Sequence, residues 1–286
     1  MVNVVFLCVG AAKSGTSWLY RQLSTHPECY FRTIKELHYF DALDDDRVSR
    51  NVDRIRARQV ELLDRTQGGL TASSQQAARI ADGADWLDVL ESGREDTESY
   101  LDYLRSGAAS GQVVGEATPA YALLSEERLG KMSRMAQDVR ILFLMRDPVA
   151  RLWSHVRMMA GRRDEDGVVT ARRCDRILGR TITGAETQIV RRSDYATTLD
   201  KLKAAVPPGR LLIEVFEEMV QGEGLARICD FLGIARVTPN PVPVHKGQPL
   251  AMTPEQRRRA AQWLAPQYDA AHRALGRMPE AWGREV

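Results

Sequence analysis

The chain has 286 residues, of which 44% are hydrophobic and 27% are charged, and its formal net charge is +2. This composition is typical of a globular protein, and the length suits one large α/β domain or two small ones. The small net charge argues against general binding to nucleic acid, and no stretch is long enough to predict insertion into a membrane.

The cysteines also constrain the class of protein. Cys8, Cys29, Cys174 and Cys229 form no CxxC pair, so neither a zinc site nor a disulfide framework is predicted. Cys8 falls in an apolar segment and is expected to be a small core residue. That segment lacks the basic start of a signal peptide. We therefore expect a cytoplasmic protein.

The first predicted element is a buried strand over Val2–Val9, followed by the loop "GAAKSG" and by a helix with Thr16 or Ser17 at its start. A small-residue loop between a strand and a helix directs backbone N–H groups at an anion, and the helix N-terminus adds a partial positive charge. The pattern predicts a phosphate-binding loop, with Lys13 inside it.

Further strands alternate with helices along the chain. The predicted strands are Gln112–Gly115, Val139–Met145 and Arg210–Phe216, and the predicted helices are "PVARLWSHVRMMAG", "DYATTLDKLKAAV", "GEGLARICDFLGI" and "TPEQRRRAAQWLAPQYDAAHRAL". This alternation predicts an α/β fold in three layers, a parallel sheet flanked by helices. Residues 44–110 break the rhythm, and we interpret them as a helical insertion on the acceptor side of one domain over residues 1–286.

The phosphate loop differs from that of kinases and GTPases. Their pattern GxxxxGK[ST] places lysine after the last glycine, whereas here Thr16 follows Gly15 directly and the lysine lies upstream. Asp147 follows Arg146 and precedes a proline that starts a helix, so it is a poor candidate for a Mg²⁺ ligand. A small-molecule kinase that uses ATP and Mg²⁺ remains the alternative enzyme.

Three stretches resemble the sulfotransferases that use 3′-phosphoadenosine 5′-phosphosulfate (PAPS). "KSGTSWLY" looks like their 5′-phosphosulfate loop, "LMRDPVARLWSH" is similar to their 3′-phosphate site, and "VHKGQP" resembles the loop that closes over the nucleotide. The matches run from Val4 to about Trp282. By resemblance, the residues that bind the nucleotide are Lys13, Ser14, Gly15, Thr16, Ser17, Trp18, Arg146, Ser154, Lys246, Gly247 and Gln248.

The resemblance also implies catalytic residues. Lys13 matches the lysine that bridges the phosphate and the sulfuryl group, and "TIKELHYFD" resembles the branch of the heparan sulfate enzymes, where a glutamate is the base. Glu36 is the implied base. If this stretch is extended, Glu36 and His38 face the cleft together, because residues two apart point the same way. His38 then orients or assists the base, or is a satisfied, partly buried histidine.

Two other segments bear on the substrate. "VVGEATPAYALL" resembles the same branch through Glu116, Thr118 and Tyr121, but Ala117 stands where several glycan-modifying members have lysine. The heparan sulfate substrate is therefore not implied. Tyr195 matches an aromatic near the nucleotide, and either adenine stacking or helix packing would explain it.

The resemblance implies in-line transfer of a sulfuryl group from PAPS to a hydroxyl or amine of a small-molecule or glycan acceptor. The product would be PAP, and no metal is expected. A catalytically silent PAP-binding protein is a further alternative. The arginines of the insertion and of residues 162–192 suggest an anionic or polar acceptor. Neither the acceptor nor the oligomeric state is indicated.

Overall fold

A computed structural model describes residues 3–67, 73–242 and 247–282. Five strands form one parallel sheet in the order β2-β3-β1-β4-β5. The strands are β1 (Val5–Gly10), β2 (Cys29–Tyr30), β3 (Val113–Ala117), β4 (Val139–Met145) and β5 (Leu211–Val215).

Helices cover both faces of the sheet. They are α1 (Thr16–Ser24), α2 (Tyr39–Asp44), α3 (Val48–Gln67), α4 (Ser74–Glu91), α5 (Thr97–Arg105), α6 (Glu126–Ser133), α7 (Pro148–Arg162), α8 (Ala171–Ile182), α9 (Thr187–Ser193), α10 (Tyr195–Ala205), α11 (Phe216–Gln221), α12 (Glu223–Leu232) and α13 (Pro254–Leu275). Short 3₁₀ turns lie at Pro119–Leu123 and Pro208–Arg210.

The central strand β1 divides the core into two layers of side chains. Val5, Leu7 and Val9 join one buried cluster, and Phe6 and Cys8 join the cluster on the opposite face. This alternation follows from the two-residue period of a strand. Because both faces are covered, the strand is apolar throughout, and the predicted three-layer α/β fold is confirmed.

The four predicted strands are confirmed with small shifts at their ends, and the structure adds β2. This strand has only two residues, which pair with Val113 and Val114 of β3. Two residues are too few to show a period in the sequence. The four cysteines are buried and free, so the expectation for Cys8 is confirmed.

The residues interpreted above as an insertion contain the helices α3, α4 and α5. Gly83 on α4 permits close approach of α3, because a Cβ there would lie 1.6 Å from Nε2 of Gln59. Asp82 on the same helix is buried and accepts hydrogen bonds from Arg32 and from the backbone of Thr33. The insertion therefore holds the segment that leads to Glu36.

None of the helices in the described ranges has both the length and the apolar composition needed to cross a bilayer.

Candidate active site

The loop between β1 and α1 lies at the carboxyl edge of the sheet. Gly15 is the N-cap of α1 and has a φ of 85°, in the left-handed region. The predicted start of this helix is confirmed, because Thr16 is its first residue. A Cβ on Gly15 would lie 2.2 Å from the ring of Phe216. Since no side chain caps the helix, its first N–H groups remain available to a ligand.

Two buried polar atoms beside this loop have no hydrogen-bond partner within the described part of the chain. They are Oγ of Ser14 and Nε of Arg146. A buried donor without a partner costs about 1–3 kcal/mol, so native proteins rarely retain one unless a ligand or water uses it. Both groups can donate to an anion, which fits a phosphate group held at this edge.

Lys13 lies within a concentration of positive charge. Its Nζ is 3.7 Å from Sδ of Met158 on α7. Burial lowers the pKa of Lys13, and the nearby Arg162, Arg146 and Arg157 lower it further, while Glu36 opposes them. An anion bound here would relieve this repulsion, because opposite charges favour the charged form of lysine.

Tyr195 on α10 and Arg151 on α7 position the loop and Arg146. Nη1 of Arg146 donates to the carbonyl of Lys13 at 3.3 Å, and the backbone of Arg146 bonds to the hydroxyl of Tyr195. Tyr195 is buried and supports the backbone of Arg146 through these hydrogen bonds. Arg151 is also buried and donates to the carbonyl of Ala12 at 3.4 Å.

The remaining nucleotide candidates lie on α1, on α7 and in the segment before α13. Ser154 is half-buried on α7, and Trp18 is buried with its indole N–H donating to the carbonyl of Asn240 at 3.0 Å. The side chain of Gln248 bonds to the backbone of residues 167 and 169. Gly247 is exposed, and Lys246 lies outside the described residues.

Asp147 has its two carboxylate oxygens engaged in the fold. Oδ1 accepts from the N–H of Ala150 as the cap of α7, and Oδ2 accepts from the hydroxyl of Tyr268 at 2.6 Å. Within the described ranges, no group of three or more His, Cys, Asp or Glu side chains is placed to hold a metal ion.

Glu36 and His38 are brought together, although His38 itself is not in an extended conformation. His38 has a φ of 56° and a ψ of 41°, because the chain turns here into α2. The condition of an extended stretch is therefore not met at His38. The turn still places Nε2 of His38 3.1 Å from Oε2 of Glu36, and Nδ1 lies 2.8 Å from Oδ2 of Asp41.

The two carboxylates determine the charge of His38. Burial lowers its pKa, but the hydrogen bonds to Asp41 and Glu36 outweigh this effect and raise the pKa to about 9. For Glu36, burial raises the pKa, whereas His38 and Lys35 lower it to about 2. At neutral pH, Glu36 is a carboxylate and His38 is an imidazolium whose two nitrogens donate hydrogen bonds.

A buried network behind this pair holds its backbone. Glu116, at the end of β3, accepts from the hydroxyls of Tyr100, Thr118 and Tyr121 at 2.6 to 2.8 Å. Oγ1 of Thr118 accepts from the N–H of Leu37 at 3.1 Å. Sequence reasoning matched Glu116, Thr118 and Tyr121 by resemblance alone, and the structure shows them supporting the segment that carries Glu36.

Asp41 is the site residue that the sequence analysis missed. It lies three residues after His38, on the same side of the turn into α2, and it is buried. An acidic residue at this spacing from a histidine is the signal that could have indicated the pair.

Comparisons with known proteins agree with the fold. A sequence model of the sulfotransferase family matches residues 6–239. A sulfotransferase from Alicyclobacillus acidocaldarius superposes with a TM-score of 0.67 at 22% identity, covering 99% of this chain and 100% of that one. The sulfotransferase domain of the Synechococcus PCC 7002 olefin synthase gives a TM-score of 0.52 at 20% identity, covering 92% and 88% of the two chains. No curated protein matches the chain.

Proposed function

Because the chain belongs to the sulfotransferase family, we propose that it transfers a sulfuryl group from PAPS to a hydroxyl or amine of a small-molecule or glycan acceptor. One observation carries the proposal. The loop that contains Lys13 combines an uncapped helix N-terminus with a Ser14 hydroxyl that has no hydrogen-bond partner among the described residues. Beside it, Nε of Arg146 has no hydrogen bond there either and lies 3.9 Å from Oε1 of Glu217. These are donors suited to an anion at both ends of a nucleotide such as PAPS.

The residues divide between the two ends of the nucleotide. Lys13 and the loop N–H groups would hold the 5′-phosphosulfate, and Arg146 with Ser154 would hold the 3′-phosphate. Arginine suits the binding of the 3′-phosphate because its planar guanidinium donates two parallel hydrogen bonds. The 3′-phosphate distinguishes PAPS from ATP, so this end would set the choice of nucleotide. Trp18 and the loop over 246–248 would complete the site.

PAPS supplies the activated sulfuryl group. On the leaving side, the ammonium of Lys13 would neutralise charge that develops on the phosphate oxygen. On the acceptor side, Glu36 is ionised and can take the proton from the attacking hydroxyl. A carboxylate of low pKa serves here because the hydroxyl becomes a strong acid only as its new bond to sulfur forms.

His38 supports this role of Glu36 without acting as the base. An imidazolium that donates from both nitrogens has no lone pair for the acceptor proton. Its hydrogen bond instead holds the Glu36 carboxylate in one orientation, with Lys35 on the other side at 3.3 Å. We therefore assign Glu36 as the base and His38 as a positioning residue.

Calorimetric titration tests the nucleotide first. We expect PAP to bind at least tenfold more tightly than ADP or ATP with Mg²⁺, and Lys13→Ala to weaken PAP strongly. Equal or tighter binding of ATP with Mg²⁺ would contradict the proposal and support a kinase. Labelled PAPS with an acceptor panel then tests transfer. Tight PAP binding without any sulfated product would support a silent PAP-binding protein.

A further inference from the structure

A cleft opens between α3, α4 and the segment 33–36. Glu36 forms part of its wall, together with the side chains of the two insertion helices. Since Glu36 is the proposed base, a molecule in this cleft would have direct access to it. Of the residues proposed to bind the nucleotide, none in the described ranges is among those that line the cleft. The cleft is therefore formed by side chains other than those assigned to the nucleotide.

The walls of this cleft are strongly cationic. Arg54 and Arg58, one turn apart on α3, face it together with Arg79 of α4. Within the described part of the chain, none of these three arginines forms an ion pair, whereas the neighbouring Arg56 pairs with Glu91 at 2.8 Å. Among the described lining residues, Glu36 is the one carboxylate. Unpaired arginines that converge on one cleft favour an anion.

The same cleft also presents apolar surface and one free acceptor. Ile34, Ile55 and Leu62 contribute the apolar part of the lining. Gln59, which also lines the cleft, donates from Nε2 to the carbonyl of Ile80 at 2.8 Å, and its buried Oε1 has no hydrogen-bond partner among the residues that the structure describes. A ligand that fits these walls needs an anionic group, an apolar face and a hydrogen-bond donor.

We propose that this cleft binds the acceptor, and that the acceptor carries a carboxylate, sulfate or phosphate group on a body with an apolar face. Arg54, Arg58 and Arg79 bind the anion, and the apolar side chains cover the body. The hydroxyl to be sulfated reaches Glu36. This inference rests on the proposed function, since it takes Glu36 as the base. It gives the insertion a specific role in selecting acceptors by charge.

Matched pairs of hydroxylated probes test the inference by direct binding to the protein saturated with PAP. The pairs are 6-hydroxy-2-naphthoate with its neutral amide, 12-hydroxydodecanoate with 1,12-dodecanediol, and glucuronate with glucose. We expect the charged member to bind at least tenfold more tightly in one pair or more. The double variant Arg54→Ala/Arg58→Ala should reduce that preference to less than twofold.

Two control variants make the result specific. Arg50→Ala removes another exposed arginine of α3 that does not line the cleft, and it should leave the preference unchanged. The lysine double variant Arg54→Lys/Arg58→Lys should retain most of the preference for the charged probe. Matching denaturation midpoints would show that the variants fold alike.

The inference is overturned if no pair shows a charged preference, or if the alanine double variant behaves like Arg50→Ala. The PAP titration separates this failure from failure of the proposed function. A protein that binds PAP but shows no charged preference contradicts only the acceptor inference, whereas a protein that does not bind PAP contradicts both.

Discussion

His38 donates a hydrogen bond from Nε2 to the Glu36 carboxylate across 3.1 Å, within a turn that also places Asp41 on its other nitrogen. The pair is thus a carboxylate beside an imidazolium. This arrangement holds the carboxylate in one orientation while leaving it able to accept a proton from an acceptor.

Glu36→Gln should abolish most of the transfer activity while preserving the nucleotide site. General bases contribute about 10²–10⁴-fold to a rate, so we expect a loss of that order. PAP affinity should stay within twofold of the original protein. Product formation from labelled PAPS and calorimetric titration of PAP measure the two effects. A parallel fall in PAP affinity would place Glu36 in the nucleotide site instead.

The His38 contacts should make stability depend on pH in the alkaline range. The folded-state pKa of about 9 lies above the ordinary 6.5, so the stabilisation is fully present below pH 6.5 and is lost as pH rises through about 9. After allowance for solvent screening, we expect a loss of roughly 1–2 kcal/mol in the free energy of unfolding.

Urea titrations between pH 5 and pH 9.5 test this expectation. The variant His38→Gln should lack this decline, so the difference in unfolding free energy between the two proteins should shrink as pH rises. A constant difference across the range would show that folding leaves the pKa of His38 unchanged.

Arg146→Ala should weaken PAP much more than AMP, which lacks the 3′-phosphate. A charge-assisted hydrogen-bonded contact is worth about 1.5–3 kcal/mol, which corresponds to roughly 10- to 150-fold in affinity. We expect the AMP affinity to change less than threefold. Arg172→Ala, an exposed arginine on α8, serves as the control and should change neither affinity. Equal weakening of PAP and AMP would contradict the assignment of Arg146 to the 3′-phosphate.

Gly15→Ala should destabilise the protein because the added Cβ has no space and the backbone there is left-handed. The left-handed conformation costs about 1–2 kcal/mol for a residue with a side chain, and the contact with Phe216 adds to it. We therefore expect a loss of about 2 kcal/mol or more in urea unfolding. In a Phe216→Ala background the loss should be smaller by the steric part, and a double-mutant cycle measures this coupling. Additive effects of the two substitutions on stability would show that the Phe216 ring does not restrict a side chain at position 15.

Local patterns determined much of this protein. The apolar runs predicted the four longer strands, because strands buried on both faces are mostly apolar along their length. The helix starts at Pro148 and Thr253 followed from capping and proline preferences, which act within a few residues. The lysine-containing loop and Arg146 were also indicated by local patterns, because each follows directly after a predicted strand.

Tertiary structure decided the state of the site. Whether Glu36 faces His38 depends on a left-handed turn that the buried Glu116 network supports from β3, about 80 residues along the chain. The two-residue strand β2 exists only because β3 offers it a partner. The cationic cleft needs α3 and α4 at contact distance, which the space at Gly83 permits. Such relations depend on contacts between distant segments, and no pattern within a short window of sequence records them.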